Sequence, residues 1–567
     1  MLVINRETKI IYLKNLQNMK IKIFYYLAIF LIYCFSFSQN ETYISGSLES
    51  NSQLLQDDNG LNFFSPQDNL RSNNYFQLDF QNGNFSAGVQ YESYLPSALL
   101  GYSEIYNNES GIAQYYFKYE DQKNEIKVGS IYEQFGNGLI FRSWEDRQLG
   151  INNSIKGINY KFFPTSNLEI SAIHGKQRNG FEYSSSTITG LNSDFDISSI
   201  LESEKIGLSF GFSYVNRFQE NTEVINAPEN VNLIGSRLNL FLDKIYINLE
   251  IVKKGNDVLV NEEQIVSAKE YDGTAMQIDF GYSRKGLGIN SSFRRLENFN
   301  FYSDRLSEGN IYNQQTISFT PALTKQQDYM LTNIYVYNSQ PRLVINDIEK
   351  RVGEVGIQND IFYTFNKESF LGKYKTKLAV NFSYWSSIEA NFNSDESYDV
   401  EFIGNGKRLY KDLNFEIKNR WNKKTSSTLT FVDLSIDKGV TLGGPLGVQG
   451  NIDARIGVFE LNFLDKNNRN NRIVAQHLWT NDDKKEWAGL VYEYAVSNKL
   501  NVFISDIWNY GNENDLHYYN IGGSYSNGPS RISLNYGRQR GGLICVGGVC
   551  RFVPESNGFN LNLSYSF

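Results

Sequence analysis

The feature that most constrains this chain is a period-two alternation of apolar and polar residues, repeated along most of its length. In residues 559–567 every second position is apolar, from Phe559 to the aromatic Phe567, with Asn or Ser between them. A strand of this kind has one apolar and one polar face, as it needs between lipid and a polar lumen. An edge strand of a soluble antiparallel sheet alternates in the same way, so this strand alone leaves both interpretations open.

Further alternating stripes occur in pairs joined by turn residues. One pair turns at residues 82–84, where the sequence is Asn-Gly-Asn, another at residues 284–286 and another at Asn498. Asn-Gly is a common hairpin turn. Strands of about ten residues, separated alternately by short turns and longer polar loops, are typical of a transmembrane β-barrel. Because an open sheet edge would leave backbone groups unpaired in hydrocarbon, such a barrel must close.

The length of the chain sets the size of the predicted barrel. A strand with its share of turn and loop takes roughly 20 to 25 residues, so residues 39–567 would supply about 22 to 26 strands. We expect 24 or 26, since an even number places both ends on the periplasmic side. The prediction is an all-β protein, with a single closed antiparallel transmembrane β-barrel domain over residues 39–567. Its stripes begin at Tyr75 at the latest.

Composition agrees with this fold class and excludes others. Aromatic residues make up 15% of the chain, and only 9 residues are proline, which suits strands. No run of 18 apolar residues follows the N-terminal segment, and this excludes a helical membrane protein. The formal net charge of -8 argues against nucleic acid as a partner, because general nucleic-acid binding needs a basic face.

Residues 1–38 have the pattern of an upstream extension and an export signal. We take Met19 as the expected start; two lysines, an apolar run and a small-x-small cleavage site follow it. We therefore expect the mature protein to begin at Gln39 and to be exported to the outer membrane. Cys34 would also allow a lipoprotein signal, but the bulky Tyr33 before it disfavours lipid attachment.

Residues 132–157 depart from the plain alternation and are dense in charge. The charged residues of this cluster are Glu133, Arg142, Glu145, Asp146 and Arg147. In a barrel, opposed arginine and acidic side chains on the inner wall, or on a loop that enters the lumen, act on passing solutes. The alternative is a solvated extracellular loop closed by salt bridges, each of which contributes little. The sequence leaves both placements open.

Two segments carry a resemblance to a known family. One is the run Tyr-Glu-Gln-Phe-Gly-Asn-Gly-Leu-Ile from Tyr132, followed by Trp-Glu-Asp-Arg from Trp144; the other is the glycine-rich segment 541–551. In these motifs the chain resembles the uncharacterised outer-membrane β-barrel proteins of Bacteroidetes, and the barrel pattern extends the similarity over most of residues 39–567. The resemblance implies the fold and an outer-membrane location, and it makes a surface lipoprotein an expected partner. It implies no substrate and no catalytic residue.

Cys545 and Cys550 are the cysteines that remain after the predicted signal. If the last strand descends to a periplasmic end, residues 541–556 form an extracellular loop. An oxidising exterior favours a disulfide between the two residues, and free thiols are the alternative. A metal site would need further ligands, and no His lies in this segment. We predict a disulfide, no metal site and no cofactor.

Three histidines, His174, His477 and His517, lie on separate predicted hairpins without a catalytic motif beside them. We therefore predict that the protein is not an enzyme. A lumen too wide for the wall side chains to fill favours a channel or porin-like transporter for solutes. The alternative is a scaffold that does not transport and that anchors surface lipoproteins or a secretion or assembly complex.

The predicted partners follow from the predicted location. Outer-membrane lipid would surround the barrel. The aromatic residue at the end of the last strand, Phe567, resembles the C-terminal signal by which outer-membrane barrels are recognised, so we also expect the barrel assembly machinery to bind the chain.

Overall fold

The computed structural model describes residues 42–198, 205–222, 226–261, 264–346, 349–403 and 406–567. The predictions made for residues 1–38 lie outside this part of the chain. One antiparallel sheet dominates it, and three of its 27 strands are spurs of two or three residues, which leaves 24 in the wall. Consecutive wall strands pair, and the last pairs with the first, with Ser566 opposite Ser47. The closed antiparallel β-barrel is confirmed, with a strand number inside the predicted range.

The wall strands are numbered here in chain order. They are β1 (Thr42–Leu55), β2 (Leu70–Asn82), β3 (Phe85–Ser93), β4 (Ser110–Glu120), β5 (Asn124–Ile131), β6 (Ile155–Thr165), β7 (Leu168–Asn179), β8 (Thr187–Asp196), β9 (Ile206–Phe218), β10 (Asn230–Leu242), β11 (Ile245–Asn261), β12 (Gln264–Arg284), β13 (Leu287–Glu297), β14 (Lys350–Thr364), β15 (Lys377–Phe392), β16 (Arg408–Arg420), β17 (Thr425–Asp437), β18 (Asn451–Leu464), β19 (Asn470–Trp479), β20 (Trp487–Ala495), β21 (Leu500–Asn509), β22 (Leu516–Asn527), β23 (Ser530–Gln539) and β24 (Ser556–Ser566).

The connections contain short elements of their own. Short strands occur at Gln134–Phe135, Phe141–Arg142, Glu145–Asp146, Ile151–Asn152, Glu182–Tyr183, Val344–Ile345, Tyr398–Val400, Gly542–Val546 and Val549–Val553. Short helical turns occur at Glu104–Tyr106, Glu308–Tyr312, Leu331–Asn333, Gly372–Tyr374 and Lys438–Leu442. No helix among the described residues is long and apolar enough to cross a membrane.

The two ends of the barrel differ. We name the end that holds Thr42 and Phe567 the turn end, and most connections there are tight. In the turn between β2 and β3, for example, Gly83 has a φ of 54°, a left-handed conformation that glycine adopts without strain. At the opposite end, named the loop end, several connections are long, and the longest described one joins β13 to β14. This alternation of short and long connections is the one predicted from the sequence.

Alternate side chains of the wall form an apolar outer surface. Leu490, Phe212 and Ile234 are 56%, 52% and 51% exposed, and the stripe of β24 lies on the same surface. Contiguous apolar surface of this extent is unfavourable in water and is what a lipid bilayer requires.

Two loops fold back into the barrel at the loop end. The first plug loop (residues 132–154) joins β5 to β6, and its Phe135, Ile140 and Phe141 pack on inward-facing Leu233 and Val252. The second plug loop (residues 298–349) joins β13 to β14, and its buried aromatic and aliphatic side chains cover the opposite part of the inner wall. The main hydrophobic core therefore lies inside the barrel.

This core corrects one expectation, that the inner face of each strand meets a polar lumen. On β17, Val432, Leu434 and Ile436 point inward and are buried against the second plug loop, while Leu429 and Phe431 face outward. The inner wall at the loop end is apolar because it packs against protein and not against water. The polar lumen persists towards the turn end.

Candidate functional site

The first plug loop is pressed against the inner wall beside β10 and β11. The backbone N–H of Asn137 donates to Glu250 Oε2 at 2.7 Å, and a Cβ added to Gly136 would lie 2.3 Å from Cδ of Arg237. Gly136 also has a φ of 56°, so both its conformation and its surroundings require glycine. Close backbone approach to the wall thus places the predicted charge cluster inside the barrel.

Arg147 ties this loop to the inner wall on the other side. Its Nη1 lies 2.6 Å from Glu49 Oε2 on β1, and its Nε lies 3.1 Å from Glu145 Oε1. Its guanidinium is 4.3 Å from the ring centre of Tyr75 on β2. Burial by itself would lower the pKa of Arg147, but the two carboxylates raise this pKa above its usual value.

The other members of the predicted cluster have separate contacts. Glu133 Oε2 accepts hydrogen bonds from Lys161 Nζ at 2.8 Å and from Asn159 Nδ2 at 2.7 Å, both on β6. Asp146 Oδ1 accepts from two backbone N–H groups of its own turn, those of residues 148 and 149. Glu133 therefore anchors the loop, whereas Asp146 shapes it.

Arg142 lies between the two plug loops. Its guanidinium carbon is 4.8 Å from the ring of Trp144 and 3.9 Å from the ring of Phe319, and no carboxylate among the described residues pairs with it. Burial lowers the pKa of Arg142. The structure thus separates two arginines that the sequence pattern grouped: Arg147 meets acidic groups at the wall, and Arg142 packs on aromatic rings.

An open cleft of about 600 Å³ runs between the first plug loop and the wall strands β23, β24 and β1. Glu49, Arg147, Arg531 and Arg551 are among its lining side chains. We name it the arginine cleft. The pairing register places Arg531 opposite Ser564, which is itself opposite Glu49, so all three lie at one level of the inner wall. Towards the loop end the cleft is bounded by Arg147 and Arg551.

The charges of the arginine cleft do not cancel. Arg147 has two carboxylate partners, but neither Arg531 nor Arg551 forms an ion pair within the described residues. Arg551 donates from Nη1 to the backbone oxygen of Gly101 at 2.9 Å and stacks on Tyr102. Burial lowers the pKa of Arg551. Since fixed charge on a confined path acts strongly on ions, an excess of positive charge here would favour anions.

Buried ion pairs hold the second plug loop to the wall. Asp257 on β11 lies 2.7 Å from both Arg305 Nη2 of the loop and Arg217 Nη2 of β9.

A second anchor of the loop is Glu354 on β14, which accepts from Arg294 Nη2 at 2.9 Å and from the backbone N–H of Gln340 at 2.6 Å. Glu354 also accepts from the hydroxyl groups of Tyr337 and Ser339. The sequence pattern singled out none of these anchors.

Comparison with known proteins gives the family. The sequence pattern of one family, described as a family of unknown function, matches residues 19–567, nearly the whole chain. The chain belongs to DUF6029. No curated protein sequence matches it significantly. The bacterial group that the sequence resemblance implies stays a prediction for this member of DUF6029.

Solved structures similar to this DUF6029 barrel have low sequence identity to it. They include a copper transporter, OprC, at 9% identity and a TM-score of 0.38, covering 94% of this chain and 83% of that one. OccK3 (OpdO) of Pseudomonas aeruginosa is 10% identical, with a TM-score of 0.35 and coverage of 93% and 96%. The translocation pore of the P pilus usher PapC is 8% identical, with a TM-score of 0.39 and coverage of 93% and 99%.

The histidines of the DUF6029 barrel lie on its outer surface. His174 Nδ1 is 2.8 Å from the Thr189 hydroxyl, His477 Nε2 is 2.8 Å from the Tyr510 hydroxyl, and the His517 ring stacks on Trp508. These contacts suit the aromatic girdles of a membrane barrel. In the described ranges, no group of three His, Cys, Asp or Glu side chains is placed to hold a metal ion.

The predicted disulfide is present. Cys545 and Cys550 join the two strands of a small ribbon, Gly542–Val546 and Val549–Val553, which we name the cysteine ribbon. At its tip the backbone oxygen of Gly548 accepts from Ala322 N at 2.8 Å. The ribbon therefore lies across the second plug loop at the loop end.

We expect the purified, denatured protein to react with maleimide at neither Cys545 nor Cys550 until a reductant is added. Both thiols are consumed by the disulfide. The third cysteine, Cys34, lies in the predicted export signal, so a protein that begins at Gln39, as predicted, has no other cysteine. Mass spectrometry measures the added label. The Cys550→Ser variant, which frees Cys545, is the positive control. Labelling of the unreduced wild-type protein at both positions would contradict the prediction.

Proposed function

We propose that this protein is an outer-membrane channel for small hydrophilic solutes, narrowed at the loop end by the two plug loops. The apolar outer surface supports a position in the membrane, with the turn end facing the periplasm. Exported proteins of this architecture are surrounded by outer-membrane lipid and depend on the barrel assembly machinery, which we propose here as well.

The observation that carries this proposal is the arginine cleft. It leaves open space beside the first plug loop, where a packed scaffold would have none, and it presents Arg531 and Arg551, which no carboxylate in the described residues neutralises. A second cavity, of about 390 Å³, lies below the same loop and is lined by charged and amide side chains of β2 to β6. Polar, charged walls of this kind line the path of hydrophilic solutes through barrels. We therefore propose a preference for anions.

We expect Arg531→Gln and Arg551→Gln each to lower the ratio of anion to cation permeability. The expected change is about two- to threefold, which corresponds to roughly 0.5 kcal/mol in the interaction of one fixed charge with a passing ion. Reversal potentials of purified protein in a planar bilayer, under a salt gradient, measure this ratio. The matched control is Arg455→Gln, because Arg455 is 71% exposed and pairs with Asp433 on the outer face of the barrel.

The outcome decides between the channel and its alternative. Loss of anion preference in the cleft variants, with the control unchanged, supports a path through the arginine cleft. If both cleft variants conduct with unaltered ion selectivity, the ions pass through the barrel by a path that avoids the arginine cleft. The buried anchors of the second plug loop favour the alternative, a non-transporting scaffold for surface lipoproteins or for a secretion or assembly complex. Wild-type protein that inserts but does not conduct would support that scaffold.

A further inference from the structure

A separate cavity opens at the loop end, away from the arginine cleft. It has a volume of about 710 Å³, within the range of small-molecule sites. Five parts of the chain form it: the tips of β11 and β12, the end of the second plug loop, the start of β14 at Arg351, residues 439–446, and the cysteine ribbon. We name it the outer cavity. None of its lining residues belongs to the arginine cleft.

Positive charge is concentrated on one wall of the outer cavity. Arg351 is only 7% exposed, and its Nε has no hydrogen-bond partner among the described residues. This Nε forms a long ion pair with Glu349 Oε2 at 3.9 Å, beyond hydrogen-bond distance, while Glu349 Oε1 accepts from the backbone N–H of Leu446. Arg351 Nη1 donates to two backbone oxygens of the second plug loop, at 3.4 and 3.5 Å. Arg342, which also lines the cavity, donates to the amide oxygen of Asn261 and not to a carboxylate. Among the described residues that line the cavity, Glu349 thus supplies the one carboxylate against the two guanidinium groups of Arg351 and Arg342, and the buried Nε of Arg351 has no acceptor within hydrogen-bond distance.

The remaining lining of the outer cavity is mainly apolar. Leu343, Val440 and Leu446 are buried, whereas Leu442 and Phe552 at the rim are 50% and 64% exposed. Large apolar side chains that stay exposed around a concave surface mark binding sites for apolar groups. Phe552 and Leu543 belong to the cysteine ribbon, so the disulfide holds this part of the rim in place.

We propose that the outer cavity binds an amphipathic anion, with its carboxylate or phosphate on Arg351 and Arg342 and its apolar chain against Leu442, Leu543 and Phe552. An anionic oxygen would satisfy the unpartnered Nε of Arg351, because arginine presents paired donors to such groups. The apolar chain would cover the exposed rim. This proposal does not depend on conduction through the barrel, since it concerns equilibrium binding at the loop end.

The test uses full-length protein in lipid nanodiscs and a decanoic acid that carries a photoreactive diazirine on its chain. Irradiation and peptide mass spectrometry locate the attachment sites. We expect attachment within residues 439–446 and 543–552, displaced by excess decanoate but not by decanol, because decanol lacks the charge. Displacement by decyl phosphate in place of decanoate would assign the head group as phosphate and would support the same site.

Arg351→Gln is expected to reduce attachment in these segments by about tenfold, the effect of losing a charged hydrogen bond. Arg420→Gln, an exposed position at the turn end of β16, is the matched control and should leave attachment unchanged. Folded barrels migrate faster on gels when they are not heated; if Arg351→Gln lacks this faster migration and is therefore unfolded, Phe552→Asp replaces it. Phe552 is exposed, so that variant should fold and repel the anion.

Three results would overturn the proposal. Attachment confined to the apolar outer surface of the wall would show partition into lipid and no cavity site. Equal displacement by decanol and decanoate would show that no anion is recognised. Unchanged attachment in folded Arg351→Gln, or in Phe552→Asp where that variant is used, would exclude the assigned groups. Each result is independent of conductance, so failure here and failure of the channel proposal are distinguishable.

Discussion

Glu354→Ala is expected to raise the single-channel conductance of the purified protein severalfold. Glu354 is fully buried and accepts hydrogen bonds from Arg294 of the wall and from three groups of the second plug loop: the hydroxyls of residues 337 and 339 and the backbone N–H of residue 340. Its removal leaves the buried guanidinium of Arg294 without an anion, at a cost of about 3–5 kcal/mol. The backbone ladder of the barrel is untouched, so the loop should release while the wall persists.

The reason for the large effect is geometric. A barrel of 24 strands encloses a lumen far wider than the arginine cleft, so displacement of the second plug loop would widen the narrowest part of the path. Planar-bilayer recordings measure the conductance. Glu493→Ala is the matched control, because Glu493 pairs with Arg472 on the neighbouring wall strand. Folded Glu354→Ala protein with wild-type conductance would show that this loop does not limit the path.

The scaffold alternative predicts a different conductance for the Glu354→Ala variant. If the protein only anchors partners, wild type and Glu354→Ala should both fail to conduct unless the loop leaves the lumen entirely. Accessibility of the loop to protease separates these cases. A released loop together with an absence of conductance would contradict the channel proposal.

Asp257→Asn is expected to expose the second plug loop to trypsin at Arg305, a site at which the wild-type protein should be resistant. Arg305 is fully buried, and its Nε and Nη2 lie 3.0 and 2.7 Å from Asp257 Oδ1. Arg217 shares the same carboxylate at 2.7 Å. An asparagine leaves two buried cations without their counter-charge, and loss of one partner of a buried pair costs about 3–5 kcal/mol. The opened loop should be cleaved many times faster.

Limited proteolysis followed by mass spectrometry of the fragments checks this expectation. Asp433→Asn is the control, since it removes an exposed partner of Arg455 and such pairs contribute about 0–1 kcal/mol. The double variant Asp257→Asn with Arg217→Met should regain part of the resistance at Arg305, because one of the two unpaired cations is then absent and the trypsin site is kept. Equal digestion of wild type and Asp257→Asn would show that other contacts hold the loop.

The barrel itself was predictable from particular residues. The alternation from Phe559 to Phe567 and the turns at residues 82–84 and 284–286 depend only on neighbours in the chain, because side chains alternate between the faces of a strand. The structure has these residues in β24 and in the hairpins β2–β3 and β12–β13. The first strand, β1, begins at Thr42, well before the first stripe recognised at Tyr75, since its serines and asparagines weaken the alternation.

The candidate site was predictable only in part. The sequence located a charge cluster in residues 132–157 and left its placement open between lumen and surface. It also grouped Arg142 with Arg147, which the structure places in unlike surroundings. One local signal that the barrel is filled is present in the sequence: the inward positions of β17 and β18 are apolar, from Val432 to Ile456, next to outward Asp433 and Arg455. Apolar inward positions indicate that protein, and not water, lies inside the wall there.

The fold class, the approximate strand number and the disulfide follow from the sequence alone, because each depends on local periodicity, chain length or nearby cysteines. What fills the barrel depends on contacts that form only in the folded protein. The ion pairs of Asp257 with Arg305 and of Arg294 with Glu354 join residues distant in the chain, and the arginine cleft unites β1, the first plug loop and β23. No local sequence pattern encodes these long-range contacts, since they form only when the barrel closes and the loops pack inside it.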